Sequence, residues 1–220
     1  MSRQTLFVCM VGFKVGRSVS MVTGIIFKLI RDASIFGLPF VLRVGDILTA
    51  FDLMKHDQIC SALAKKGIGA TGGRMEMREL SDVSLTLQLP GAPLSSAVPL
   101  EKAGIQGGVR TPDQFNAMIE HALYKLAQIW QERRWGIELD NGFRLTHLVW
   151  CDNIFLFETD LARAEKMMIV LTQVLSMCGL FWKPSSLQVL CAGRLADSMP
   201  KIVVEILEGP RQLVVLQVGN

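Results

Sequence analysis

Two aspartates stand at the ends of apolar runs, where a carboxylate is costly unless its charge is offset. Asp46 lies at the end of an apolar run, in the sequence Val44-Gly45-Asp46-Ile47. Asp152 lies between two apolar runs, after Trp150 and before Ile154. A carboxylate among such residues must be paired, hydrogen-bonded or bound to a cation. If the fold brings the two together, Mg²⁺ would offset their repulsion, because it takes one or two protein carboxylates plus substrate phosphates. Spacing alone leaves open the alternative that both are ordinary strand-end or turn residues with local hydrogen bonds.

The elements that carry the two aspartates decide whether they can meet. Residues 40–47 predict a buried strand that ends beside Asp46. Leu145–Trp150 and Ile154–Phe157 are short apolar runs that predict a β-hairpin. The expected polar tip of this hairpin consists of Cys151, Asp152 and Asn153.

Apolar residues at helical spacing predict four helices. They cover about residues 20–35, a short stretch around 59–63, residues 112–134 and residues 160–178. Gly37 is expected to end the first helix. Thr111 is expected to cap the third, with Pro112 at its first position and Gln114 as the capping-box partner.

The remaining segments predict strands and one long loop. Residues 84–89 alternate apolar and polar side chains, which indicates a half-buried strand, and residues 90–110 predict a loop. The tail carries two weak strand patterns at 202–207 and 213–218. Helices and strands interleaved in this order predict an α+β fold with an antiparallel sheet backed by helices.

The composition excludes several classes of protein. The 220 residues are 50% hydrophobic and 20% charged, with a net charge of +3, so neither a disordered chain nor a histone-like basic protein is expected. The five cysteines have no zinc spacing, and reduced thiols in an intracellular protein are expected. No signal peptide or membrane span is predicted. A cytoplasmic or nuclear location is the expectation.

Five segments resemble, in order, the reverse transcriptase domain of non-LTR retrotransposons. Their family counterparts are G-F-R-x-G-R-S in the fingers, D-x-x-x-A-F-D in the palm, Q-G-x-x-x-S-P-x-x-F-N, an aromatic or apolar residue followed by x-D-D, and G-L-x-x-N-x-x-K. The matching segments here are Gly12–Ser18, Asp46–Asp52, Gln106–Asn116, Trp150–Asn153 and Gly179–Ser186. A group II intron-type enzyme shares this plan and ranks second.

The resemblance implies a right-hand polymerase palm with partial fingers. The fingers would cover residues 1–36 and the palm residues 37–220, within a single domain overall. Asp46, Asp152 and Asn153 would be the catalytic positions, and the two aspartates would hold two Mg²⁺ ions about 3.5–4 Å apart, with Mn²⁺ as a substitute.

Other family positions imply contacts to nucleotide and nucleic acid. Phe51 would lie under the sugar as a steric gate, and Gln106 would line the nucleotide pocket. Their alternatives are a core aromatic and a solvated loop residue. Lys14 and Arg17 would contact template or incoming phosphate, or else form a solvated surface pair.

The helix predicted after residue 111 would carry the template–primer contacts. The resemblance assigns them to Thr111, Pro112 and Phe115. Thr111 and Pro112 also have the local role of starting that helix, as described above.

Two positions depart from the family pattern. Asn153 replaces the second aspartate of the x-D-D tip, which removes a charge and would raise the barrier by roughly 2–4 kcal/mol. Ser186 replaces the family lysine, and Lys183, three residues earlier, would compensate.

We therefore expect an RNA-directed DNA polymerase domain of a non-LTR retroelement, in a truncated and degenerate copy. Its partners would be an RNA template, a DNA primer and a dNTP. The main alternative is a catalytically dead palm remnant that binds RNA or a protein, which Asn153 and Ser186 favour. A third possibility is an unrelated α+β protein.

Overall fold

A computed structural model describes most of the chain. The described residues are 10–81, 83–99, 102, 108–140 and 142–198, together with the backbone of 203–208 and 212–217. The chain forms two compact units, one made of Met1–Leu48 with Ala122–Asn220 and the other of Thr49–His121. Nothing tests the expected division into fingers at 1–36 and palm at 37–220, which stays a prediction.

The centre of the first unit is a four-stranded antiparallel sheet. Its strands are β1 (Phe40–Asp46), β6 (His147–Trp150), β7 (Asn153–Glu158) and β8 (Gln188–Ala192), in the order β6-β7-β1-β8. The predicted strand at 40–47 and the predicted hairpin are both confirmed. One detail of the hairpin differs: Asn153 is the first residue of β7, opposite Trp150, so the connection contains only Cys151 and Asp152.

Helices cover both faces of this sheet. On one face, α1 (Val19–Phe36) packs its Val22 and Ala33 in one apolar cluster with Phe40 and Phe157. On the other face, Val41 packs against Ala164 of α5 (Leu161–Met177). The alternation of β1 side chains between the two clusters follows from the two-residue period of a strand. Burial of both faces explains why five of the seven β1 residues are apolar or glycine, with Arg43 and Asp46 as the exceptions.

The end of α1 is held by two glycines with left-handed backbone. Gly37 has φ of 63° and caps the helix through its N–H to the Ala33 carbonyl, as the sequence predicts. Gly193 has φ of 61°, and a Cβ there would lie 1.9 Å from the Leu38 carbonyl oxygen. Only glycine allows this close approach of the two backbones.

The second unit is mainly helical. It contains α2 (His56–Lys65), α3 (Ala70–Ser81) and the first part of α4 (Thr111–Glu132). The short helix around 59–63 and the long one after 111 are confirmed, but α3 is not predicted by the apolar pattern because its sequence is polar and contains Gly72 and Gly73. Tertiary contacts hold it instead: Arg110 donates to Glu76 of α3 over 2.9 Å.

The capping role predicted for Gln114 is wrong. Its side-chain amide donates to the Glu76 carboxylate of α3 rather than folding back to the start of α4. The helix begins at Thr111 itself, where the Gln114 backbone N–H donates to the Arg110 carbonyl over 3.0 Å. A capping box needs Gln114 Oε1 to accept a backbone N–H at the helix start, but this oxygen is buried and has no hydrogen-bond partner among the described residues.

The expected strand at 84–89 is much shorter. Only β2 (Ser84–Leu85) pairs, with β3 (Val98–Pro99) inside the expected loop, and both are exposed. An alternating apolar and polar sequence does not form a long strand when its apolar side chains are not buried against another surface. Two further pairs are β4 (Ile137–Glu138) with β5 (Arg144–Leu145) and β9 (Val203–Glu208) with β10 (Gln212–Gln217). The last pair confirms the tail strands, except that residues 202 and 218 lie outside the described residues.

The close backbone approach at Gly193 can be tested. We expect Gly193→Ala to lower the free energy of unfolding by roughly 2–5 kcal/mol, because it combines left-handed strain with a steric clash. Urea unfolding followed by circular dichroism measures the change. Gly142→Ala is the control, since Gly142 has φ of 74° but open space around it. It should cost only about 1–2 kcal/mol, and equal losses for the two variants would contradict the packing argument.

Candidate active site

The two aspartates that the sequence singles out meet at one end of the sheet. Asp46 is the last residue of β1 and lies opposite Asn153 of β7. Asp152 is the residue just before Asn153, and its carbonyl accepts the Ile47 N–H over 3.0 Å. Both aspartates are half-buried. The β1–β7 register therefore brings together two residues that are 106 positions apart in the chain (152 − 46).

The Asp152 carboxylate lies close enough to Asp46 to act on the pKa of its side chain. Burial raises the pKa of the Asp46 carboxyl, and the charge of Asp152 raises it further. The Lys183 ammonium acts in the opposite direction and lowers the pKa of Asp46. The pair is thus a destabilised arrangement of like charges that one lysine offsets in part.

Asn153 contributes a donor to the pair where the family pattern has a third carboxylate. Its Nδ2 donates to Asp152 Oδ1 over 3.2 Å. The amide brings no charge, so the end of the sheet holds the two carboxylates of Asp46 and Asp152 and the ammonium of Lys183.

The donor set fits a divalent cation. Asp46 Oδ1 is buried and has no hydrogen-bond partner among the described residues. A buried carboxylate oxygen without a donor, facing a second carboxylate, is the arrangement that a hard cation satisfies. Within the described ranges no group of three or more His, Cys, Asp or Glu is arranged to hold a metal ion. That Asp46 and Asp152 hold a metal ion stays a prediction.

A strained turn presents Asp152. Cys151 has φ of 54°, a left-handed value that a two-residue hairpin connection demands but that a residue with a side chain adopts at a cost. Gly12 packs directly on this turn: its N–H donates to the Val149 carbonyl over 3.1 Å, and a Cβ on Gly12 would lie 2.1 Å from the Cys151 nitrogen. The first glycine of the fingers-like motif therefore supports the hairpin tip.

The two predicted phosphate-binding residues follow Gly12 in the chain. Lys14 is half-buried, and its carbonyl accepts the Arg17 N–H in a tight turn. Arg17 is exposed and lines a largely apolar groove of about 840 Å³ between α1 and the β4–β5 pair. Their contacts to template or phosphate stay predictions. Gln106 lies outside the described residues.

The residues expected to contact sugar and template belong to the second unit. Phe51 is half-buried and packs edge-on against Phe115, with ring centroids 5.5 Å apart. Phe115 is fully buried, Thr111 is buried at the first position of α4, and Pro112 is half-buried. These positions have packing roles, and their predicted roles toward sugar and template stay predictions.

The pattern of motifs does not reveal the turn that holds the backbone of Asp46. Ser186 Oγ accepts the Asp46 N–H over 2.9 Å, and the Lys183 N–H donates to the Asp46 carbonyl over 2.8 Å. The one local signal is Gly45, since a glycine inside an apolar strand marks a close approach by another group. That group is the ring of Trp182, whose atoms would lie 2.7 Å from a Cβ on Gly45.

Comparison with known proteins finds a likeness of structure only. No protein-family model matches the chain, and its sequence matches no curated protein. The structure of telomerase from Candida tropicalis in complex with a TWJ fragment of telomeric RNA matches with a TM-score of 0.67 and 9% sequence identity. This match covers 93% of the present chain and 33% of the telomerase chain.

Two further telomerase structures match in the same way. Telomerase from Candida albicans in complex with a TWJ fragment of telomeric RNA gives a TM-score of 0.65 at 9% identity, over 89% of this chain and 33% of that one. Apo telomerase from Candida tropicalis, truncated from its C-terminal domain, gives a TM-score of 0.60 at 11% sequence identity. This match covers 86% of the present chain and 39% of the telomerase chain. The chain thus spans little more than a third of these proteins at most.

The likeness confirms the predicted fold class. The chain has the α+β plan of a polymerase palm, an antiparallel sheet backed by helices, similar to part of telomerase. In the described residues, none of the helices combines the length and apolar character that crossing a membrane requires.

The repulsion between the two carboxylates gives a stability prediction. In metal-free buffer, we expect Asp46→Asn to raise the free energy of unfolding at pH 7, because it removes a half-buried charge that is repelled by Asp152. The pKa of Asp46 is raised above its ordinary value of 3.8, so between these values the folded wild type binds more protons than the unfolded chain. Wild-type stability therefore falls as the pH rises through that window.

The advantage of Asp46→Asn should accordingly be greatest above the folded pKa and vanish below pH 3.8. Urea unfolding at a series of pH values measures it. Asp197→Asn, at an exposed aspartate, is the control and should show no such advantage. A loss of stability in Asp46→Asn at pH 7 would mean that the two carboxylates do not repel.

Proposed function

We propose that this chain is the palm portion of an RNA-directed DNA polymerase, related to the reverse transcriptases of non-LTR retrotransposons. The observation that supports this proposal most directly is the carboxylate pair of Asp46 and Asp152 at the end of the antiparallel sheet. The five motif-like segments and the structural likeness to telomerase support it. Two of the telomerase structures contain telomeric RNA, which agrees with RNA as the proposed template.

The proposed reaction joins a dNTP to a DNA primer on that template. The primer 3′-hydroxyl loses its proton to solvent and its oxygen attacks the α-phosphorus. The bond from that phosphorus to the oxygen bridging to the β-phosphate breaks, and pyrophosphate leaves. Asp46 and Asp152 would hold two Mg²⁺ ions, and Mn²⁺ would substitute for them. Bound there, Mg²⁺ supplies charge neutralisation at the reacting oxygens. Catalysis in such a reaction is mostly positioning and electrostatics, which a fixed sheet end provides.

The chain's own residues would divide the remaining tasks. Lys183, whose ammonium lowers the pKa of Asp46, would face the negative charge of the triphosphate and of the departing pyrophosphate. Phe51 would select the sugar and Gln106 would line the nucleotide pocket. Lys14 and Arg17 would contact phosphates.

The start of α4 would contribute the contacts to the template–primer duplex. Thr111, Pro112 and Phe115 carry these proposed roles. Because Phe115 is fully buried, it would support the start of α4 by packing inside the protein and would not contact the nucleic acid directly.

A second candidate is a palm that binds RNA or a protein without chemistry. The observation that favours it is Asn153, whose amide donates to Asp152 where a carboxylate would add a charge for the ions. The two candidates differ in their response to restoring that charge, because a pure binding module gains no reaction from it.

The polymerase proposal predicts Mg²⁺-dependent extension of a DNA primer on an RNA template. Asp46→Asn and Asp152→Asn should each abolish it, since each removes half of the carboxylate pair. Asn153→Asp should raise the rate by about 30- to 1,000-fold, the equivalent of roughly 2–4 kcal/mol. Extension products resolved on a denaturing gel measure these rates.

The double variant Asn153→Asp with Asp46→Asn controls for a contaminating polymerase and should be inactive. Absence of extension in both the wild type and Asn153→Asp, from folded protein at high concentration, would reject the polymerase. Retained RNA binding in the same samples would then select the binding module.

A further inference from the structure

A short segment after α5 runs antiparallel to the end of β1 and beyond it. The Leu48 N–H donates to the Phe181 carbonyl over 2.8 Å, and Ile47 pairs with Trp182 in a β-bridge. The Lys183 N–H then donates to the Asp46 carbonyl over 2.8 Å. This segment reaches Asp46 where the regular β1–β8 ladder does not, since that ladder ends at Val44.

The hydroxyl of Ser186 completes the contact with Asp46. It accepts the Asp46 N–H over 2.9 Å and lies 2.7 Å from the Lys183 carbonyl, to which it donates. Both backbone polar groups of Asp46 are therefore held by one turn, which spans Lys183 to Ser186. Without the hydroxyl, the N–H of a half-buried residue at a strand end would lose its partner, at a cost of about 1–3 kcal/mol.

Trp182 anchors the turn to the rest of the unit. Its side chain is 3% exposed and covers Gly45, where a Cβ would lie 2.7 Å from the ring. The indole Nε1 donates to Thr172 Oγ1 of α5 over 2.8 Å, and Thr172 donates to the Met168 carbonyl over 2.7 Å. The turn is thus fixed to a buried helix rather than exposed as an independent loop.

We propose that Ser186 is a positioning residue for the carboxylate pair: by holding the backbone of Asp46, it keeps the Asp46 carboxylate aligned with Asp152 for a shared divalent cation. Ser186 touches neither substrate nor ion in this role and acts through Asp46. The cation is the one used in the proposed function, so this part of the inference rests on that proposal.

The chemistry of the side chain explains why serine suits this place. A hydroxyl both accepts and donates, so it can take the Asp46 N–H and give its own hydrogen to Lys183. A lysine, which the family pattern has at this position, has no acceptor and could not hold the Asp46 N–H. The serine that replaces the family lysine at position 186 therefore has a positioning role, and Lys183 supplies the positive charge.

Binding of Mn²⁺ by the full chain, followed by water proton relaxation, tests the proposal. We expect Ser186→Ala to weaken Mn²⁺ binding about 10- to 100-fold, the range for losing a group that orients a metal ligand. Ser186→Thr, which keeps the hydroxyl, should bind as the wild type does. Ser185→Ala is the matched control, because Ser185 is the exposed neighbour in the same turn.

Circular dichroism checks that each variant is folded under the binding conditions. If Ser186→Ala does not fold, Ser186→Cys replaces it, because cysteine has a similar volume and its thiol is only a weak hydrogen-bond acceptor. Unchanged Mn²⁺ affinity in a folded variant lacking the hydroxyl would overturn the proposal. So would a loss of affinity of the same size in Ser185→Ala.

Hydrogen exchange of the Asp46 amide separates this proposal from the proposed function. If the wild type binds no Mn²⁺, the polymerase proposal fails, and the exchange rate decides the role of Ser186. Faster exchange at Asp46 in Ser186→Ala than in Ser185→Ala supports positioning of the backbone. Equal rates in the two variants overturn it.

Discussion

The constraint that dominates the first unit is the repulsion between two carboxylates that the sheet holds close together at one end. Asp46 and Asp152 repel each other, and burial adds to the cost of their charges. Only a rigid framework can hold such a pair, because a flexible one would relax by moving the charges apart. Here, backbone hydrogen bonds provide that framework: β7 pairs with one edge of β1, and β8 with the other.

The local chemistry around the pair differs from the family pattern at Asn153 and in the position of the lysine. Asn153 replaces a carboxylate with an amide that donates to Asp152, and Lys183 brings an ammonium near Asp46. Asn153 reduces the negative charge at the sheet end, and Lys183 keeps the positive charge that Ser186 removes from the family pattern. Cation binding would therefore be weaker than at three carboxylates, while the arrangement of the backbone needed for it is kept. Weak binding on an intact framework is compatible with both proposed functions.

The parts of the fold that sequence predicts are those whose apolar residues repeat with a clear period. Helix α1, strand β1 and the β6–β7 hairpin follow from such repeats, and the motif-like spacing identifies Asp46 and Asp152 as a pair. Helix α3 does not follow, because Gly72, Gly73 and its polar residues contradict a helical pattern until Arg110 and Gln114 reach Glu76. The predicted strand at 84–89 shrinks for the opposite reason, since its apolar side chains are exposed and bury nothing against the described residues.

By itself, the sequence determined the local elements and the identity of the candidate site residues, because periodicity and motif spacing are properties of neighbouring positions. Only the tertiary structure decided which groups surround those residues. Ser186 holds Asp46 across 140 positions of chain, and Gly12 supports the turn at Cys151. Such contacts depend on sheet register and backbone approach, which arise when distant segments pack and which no short stretch of residues encodes.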